Sequence, residues 1–208
     1  MAMTGVLRPG HVAVRVLDLE EAGKVMRALF KDPIYKTHLE RRGLKQTIML
    51  GFSDGTKDGG YFMANWSIYV AKERLSKLAT EFGIQVAFFD GRGGPPARGG
   101  GNTHEFYASM GDTIQSDDIQ LTIQGQTISS NFGTLESSQF NLEQLLSSGI
   151  ENQIFNPGKN NLSPDDRTLM NRIANISYQS YQDFKAHKMF IPYLEKMSTL
   201  PYYAKANI

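Results

Sequence analysis

No cysteine occurs in the 208 residues. That absence excludes disulfide scaffolds, thiolate zinc sites and cysteine nucleophiles. A surplus of one charge is missing too: 22 Lys and Arg stand against 21 Asp and Glu, a formal net charge of +1. Proteins held mainly by nucleic acid or anionic lipid need positive excess, so neither nucleic acid nor membrane is expected as a partner. Any anion site must come from local geometry. Long apolar runs are also lacking, since none approaches the roughly 18–20 residues that span a bilayer. The opening MAMTGVLRPGH has no signal-peptide core. The expected protein is soluble and cytoplasmic. With 40% hydrophobic and 11% aromatic residues, it has enough material for a single core.

In the first segment Val12, Val14 and Val16 alternate with Ala13 and Arg15, the period of a strand. Asp18, with Glu21 three residues later, reads as a helix start. Leu19, Ala22, Met26 and Leu29 then share one helical face, which Pro33 ends.

The stretch 45–104 is the most informative. TIMLGF (47–52) suits a buried strand, and SDGTKDGG (53–60) reads as a polar loop. Across 61–82, Ala64, Ile68, Ala71, Leu75, Leu78 and Phe82 form one helical stripe, and Gly83 sits where a left-handed cap belongs. IQVAFF (84–89) is a second buried strand, and DGRGGPPARGGGN (90–102) leaves its end as a loop. Strand, crossover helix and strand make a parallel βαβ unit. Both loops then emerge at the C-terminal edge of the sheet, where α/β proteins bind ligands, and should face one another.

Their chemistry is complementary. The second loop places Arg92 and Arg98 among Gly91, Gly93, Gly94, Gly99, Gly100 and Gly101. Glycines admit close backbone approach, successive N–H groups can form an anion nest, and guanidinium forks match phosphate or carboxylate. Asp54, Lys57 and Asp58 in the first loop offer carboxylates and an ammonium for a divalent cation and an anionic substrate. The bland reading is a flexible surface loop with solvated arginines. No GK[ST] follows, so this is not a Walker loop.

Further on, IQLTIQGQTIS (119–129) reads as two short strands turning at Gln124-Gly125. A helix over 132–149 is expected, capped by Thr134, faced by Leu135, Leu142, Leu145 and Leu146, and ended by Gly149. Residues 151–162 read as a loop. Ser163-Pro164-Asp165-Asp166 opens another helix, running to about 188 with a Tyr178/Tyr181/Phe184 stripe read as packing surface. His104 should begin a short helix (102–109) and orient the glycine loop. His38 and His187 read as surface residues, and Asp117-Asp118 as a polar turn.

IMLGFSDGTKDGGYFMANW and FFDGRGGPPARGGGNTH resemble two signature segments of the phosphoenolpyruvate carboxylase family, approximately GYSDSxKDxG and FHGRGGxxxRGGGPTH. The resemblance runs from about 19 to 208, as one domain after a foreign strand at 1–18. It implies an α/β fold, part of a (β/α) TIM-type barrel with additional helices. It also implies addition of bicarbonate to phosphoenolpyruvate, giving oxaloacetate and phosphate, with Mg²⁺ or Mn²⁺ and a homo-oligomeric full-length protein. Carried over by motif, Asp54 is a metal ligand and Lys57 stands beside the substrate's anionic end. Arg92 and Arg98 bind phosphate or carboxyphosphate, and Gly93, Gly94, Gly99 and Gly100 permit close approach.

Arg92, Arg98, Lys57 and Asp90 are the candidate catalytic residues, although Asp90 departs from the pattern, which commonly has His there; near two arginines it is expected to stay ionised and pair with Arg92. Family members are several times longer, and their catalytic N-terminal His motif and second metal carboxylate are not found. The expectation is a chimeric or partial chain joined near 17–21, without carboxylase activity of its own. Residues 1–18, MAMTGVLRPGHVAVRVLD, resemble instead the start of extradiol catechol dioxygenases, with His11 as a candidate iron ligand against the plainer reading of a strand-edge histidine. A third reading is a non-catalytic anion-binding piece.

Overall fold

The computed structural model describes residues 11–13, 15–93, 102–123, 125–155, 161–197 and 202. Its centre is a parallel pair of strands, β2 (Lys45–Leu50) and β3 (Gln85–Gly93), in register from Lys45 opposite Gln85 to Leu50 opposite Asp90. Strand β1 (His11–Ala13) adds to the other edge of β2, and β4 (Ile119–Ile123) to β3. All four are parallel, in the order β1-β2-β3-β4. Alternation in β2 turns Gln46, Ile48 and Leu50 into the core, where they meet Val86 and Phe88 of β3.

Helix α1 (Val16–Lys31) begins earlier than the expected start at Asp18. Val16 fits both the alternating and the helical pattern. The Asp18 carboxylate accepts the Arg15 backbone N–H at 3.1 Å, which makes Arg15 the cap and Asp18 the third helical residue. Val16, Leu19, Ala22, Met26 and Phe30 are its buried stripe. Helix α2 (Pro33–Arg41) follows, capped by Asp32 with Pro33 at its first position.

The expected loop 53–60 is largely a helix, α3 (Phe52–Gly59). Glycine content argues for a loop, but partners remote in sequence decide otherwise. Phe52 is fully buried in the core, and the Lys57 and Asp58 carbonyls accept from Tyr181 Oη (3.1 Å), Gln182 Nε2 (2.9 Å) and Lys185 Nζ (2.8 Å). These donors satisfy carbonyls that a helix end leaves open. A Cβ at Gly59 would lie 2.7 Å from Val16 Cγ2, so the close approach of α1 and α3 requires glycine there.

Helix α4 (Tyr61–Glu81) buries the predicted Ala64, Ile68, Ala71, Leu75 and Leu78, and Gly83 turns the chain into β3 with φ +66°. Strand β3 runs on past the expected end at 89, so Asp90 and Arg92 are strand residues. Helix α5 (Thr103–Ala108) is capped by Asn102. The expected hairpin at 119–129 is replaced by β4, which pairs in parallel with β3, and then α6 (Gly125–Phe132).

Helix α7 (Leu135–Ile150) is capped by Thr134 as predicted, but it passes through Gly149 and widens into a π turn (Glu151–Phe155). Helix α8 (Pro164–Ala186) starts at the Ser163 cap, and α9 (Phe190–Met197) closes the described chain. Arg167 forks onto Glu73 at 2.8 and 2.9 Å, and Trp66 Nε1 donates to Asn171 over 2.8 Å, which docks α8 on α4. From the predicted aromatic stripe, Tyr178 packs against a smaller apolar cluster of Val16, Met63, Trp66 and Ala174, and Tyr181 caps α3. Phe184 stays exposed, edge-on to Phe190.

No described helix is long and apolar enough to cross a membrane. Leu135, Leu142 and Leu146 on α7, Ile176 on α8 and Ile191 and Met197 on α9 are each more than half exposed. Apolar surface on this scale marks contact faces. The chain by itself is expected to self-associate. Sedimentation velocity would show species heavier than 23.2 kDa, and a sharp monomer across micromolar concentrations would count against it.

Candidate functional site

Strand β3 leaves the core carrying three groups of opposite character. Asp90 has no solvent exposure, and its Oδ2 accepts from Lys72 Nζ at 2.7 Å and from Tyr107 Oη at 2.8 Å. The pairing expected with Arg92 is therefore made with Lys72 instead. The turn of α4 lays Lys72 against the strand end, where α5 also brings Tyr107. Phe88, Phe106 and Tyr107 stand around the ammonium, with ring centroids 5.2, 5.3 and 5.6 Å from Nζ.

Arg92, two residues on, is buried and lies over the Phe106 ring, its guanidinium carbon 3.9 Å from the centroid. Nη1 donates to the Asn102 carbonyl in a long bond of 3.4 Å. Among the described residues, Arg92 Nε and Asp90 Oδ1 are buried without a hydrogen-bond partner. Such atoms carry a desolvation cost of about 1–3 kcal/mol each unless something meets them.

Burial pushes the Lys72 ammonium below its usual range, and the Asp90 carboxylate opposes that shift. Burial also lowers Arg92, against the pull of Tyr107 and Asp90. A guanidinium starts so high that it stays a cation throughout. Burial first, then the neighbouring carboxylate, push the Tyr107 phenol far up, which keeps its proton on and fixes it as donor to Asp90.

A cleft of about 250 Å³ opens beside Arg92, with Thr103, Leu121 and Ile123 and the α6 and α7 residues Asn131 and Asn141. It lies at the C-terminal ends of β3 and β4, the edge where parallel α/β sheets take ligands. A wider groove of about 920 Å³ runs between α4 and residues 110–117 at the opposite, N-terminal side of β4.

The first motif sits differently. Asp54 and Lys57 lie one turn apart on α3 and pair with each other at 3.2 Å, both more than half exposed, an ion pair of little stabilising worth. Asp58 is turned inward, its Oδ2 accepting the Val16 N–H at 3.2 Å. Gly93 ends β3, while Gly94, Arg98, Gly99 and Gly100 lie outside the described residues, as does the side chain of His11. His104 Nε2 is 3.3 Å from Glu151 Oε2, tying α5 to the π turn.

Lys72, Phe106 and Tyr107 carry the buried cluster and were absent from the sequence-based set. One signal for Lys72 was present. It falls four residues after Ile68 and three before Leu75, inside the apolar stripe of α4, where a lysine needs a buried counter-charge.

A parallel α/β sheet with a buried arginine and glycines at a strand's C-terminal end is suited to handling small anions. The family is shown by comparison. The family described as Phosphoenolpyruvate carboxylase matches residues 14–208, and the chain belongs to it. It is 33% identical over 193 residues to a phosphoenolpyruvate carboxylase of Corynebacterium diphtheriae, covering 92% of this chain and 21% of that one. A Rhodothermus marinus phosphoenolpyruvate carboxylase is 33% identical (93% and 23% covered), and one from Mycobacterium leprae 29% identical (92% and 21% covered). The chain thus spans about a fifth of the length of the relatives it matches.

The divalent metal implied by the family does not fit these residues alone. Among the described residues no three His, Asp or Glu side chains are grouped to hold a metal ion, and Asp54 is engaged by Lys57. Mn²⁺ is accordingly expected to bind more weakly than about 1 mM, the weak end of carboxylate sites. Titration followed by Mn²⁺ electron paramagnetic resonance would measure this, and tight binding would refute it.

Proposed function

We propose that the chain forms part of the substrate-binding region of a phosphoenolpyruvate carboxylase, the enzyme that adds bicarbonate to phosphoenolpyruvate to give oxaloacetate and phosphate. The observation that carries this reading is Arg92. It is a buried cation with an unmet Nε, on the strand that runs into the glycine motif shared with the family. Arg92 and Arg98 would hold the phosphoryl group and the charge that develops on carboxyphosphate and enolate. Gly93, Gly94, Gly99 and Gly100 would let the backbone approach that group. Lys57 would stand at the substrate's anionic end, and Asp54 would supply one carboxylate towards Mg²⁺ or Mn²⁺.

The sequential order of four parallel strands supports a segment of a (β/α) barrel wall, because a doubly wound sheet reverses its strand order partway. The relatives' remaining four-fifths would supply the rest of the barrel, the further metal carboxylate and the contacts of a cytoplasmic homo-oligomer. Binding without turnover is then the activity of the chain alone, since the described residues group too few carboxylates and histidines for the metal site.

The expected outcome is that phosphate or phosphoenolpyruvate binds by calorimetry and that Arg92→Met weakens it about 10- to 100-fold, the loss of one charge-assisted contact. No phosphate should be released from phosphoenolpyruvate and bicarbonate. Release that depends on Arg92 would show that the chain is catalytically complete.

A further inference from the structure

Charged side chains are expensive to bury unless each charge is met. Three share the end of β3: Lys72, Asp90 and Arg92 are 2%, 0% and 5% exposed. Lys72 and Tyr107 both donate to one oxygen of Asp90, at 2.7 and 2.8 Å. The phenol belongs to α5, and its neighbour in that helix, Phe106, is the ring on which Arg92 rests, 3.9 Å from the guanidinium carbon. The same ring stands 5.3 Å from the Lys72 ammonium. Charge, hydrogen bond and packing therefore run continuously from α4 through β3 to α5 and back to Arg92.

We propose that Lys72 is a positioning residue for this site. Its ammonium holds Asp90, and Asp90 holds the Tyr107 hydroxyl, so that α5, Phe106 and the Arg92 side chain are set before any anion arrives. Asp90 is a fixed counter-charge, with one oxygen occupied by two donors, and takes no part as acid or base. Two cations against one carboxylate leave the cluster with a net positive charge, which favours an anion beside it. A histidine at 90, the residue common in the family pattern, would leave the buried Lys72 ammonium without its carboxylate. Lys72 and Asp90 thus depend on each other as a pair. The lock stands independently of any ligand; its effect on anion binding rests on the reading of Arg92 given above.

A double-mutant cycle on the full chain tests this, with Lys72→Met, Asp90→Asn and the two combined. Either single change should lower the folding equilibrium constant about 10²- to 10³-fold in urea titrations, because it strands a buried charge. The combined variant, with both charges gone, should recover most of that loss. Simple additivity of the two losses overturns the proposal. Where a single variant fails to fold, a folded double variant supports the lock and an unfolded one refutes it. A second readout is specific to charge: the Lys72 ammonium ¹H–¹⁵N resonance should persist in the parent chain and vanish in Asp90→Asn, as burial then drives the amine neutral. Its survival there would show that Asp90 does not hold the charge. Inorganic phosphate titration separates the two readings. Lys72→Met should weaken phosphate binding and the double variant restore it, whereas single and double variants binding alike would remove the positioning role. If Arg92→Met alone leaves phosphate binding unchanged, the anion reading fails while the urea cycle still decides the lock.

Discussion

A lysine ammonium 2.7 Å from an aspartate carboxylate, with almost no access for water, sits where β3 leaves the core. Because neither charge is tolerable there without the other, this contact constrains everything around it. It holds α4 against the sheet at a defined height and gives the Tyr107 hydroxyl an acceptor. It also draws α5 over the strand end, so that Phe106 becomes the floor under Arg92. A guanidinium with an unmet nitrogen is thereby presented on a backbone already fixed by its neighbours, the feature on which the proposed anion binding rests.

The same economy shapes the first motif. Helix α3 is glycine-rich and short, a poor helix by propensity. It persists because Phe52 is buried in the core at one end and three donors from α8 take its last carbonyls at the other. Asp58 is spent on the N-terminus of α1, which leaves Asp54 and Lys57 on the open side, facing each other. Placement on α3 thus separates a structural acid from an exposed pair that the linear motif presents as equivalent.

Outside the sheet and its helical cover, the protein is less self-contained. Helices α7, α8 and α9 turn apolar side chains outward, in a chain that matches only about a fifth of its relatives' length. The proposed place of this chain in a larger phosphoenolpyruvate carboxylase barrel would account for both features together, since other parts of that barrel would cover such faces.

Much of this was legible in the residues alone. The α4 stripe, the Gly83 turn, the parallel pairing of the strands on either side and the caps at Thr134 and Ser163 are local patterns, written in the spacing of neighbours. The long glycine and arginine motifs named the family because their residue types repeat a whole constellation, not a single contact. Tertiary structure alone decided that 52–59 is helical and that Asp90 answers to Lys72 and not to Arg92. Each of those depends on a partner distant in the chain: α8 for the first, the buried face of α4 for the second. Short-range periodicity carries no information about which remote group will arrive to satisfy a carbonyl, a charge or a strand edge.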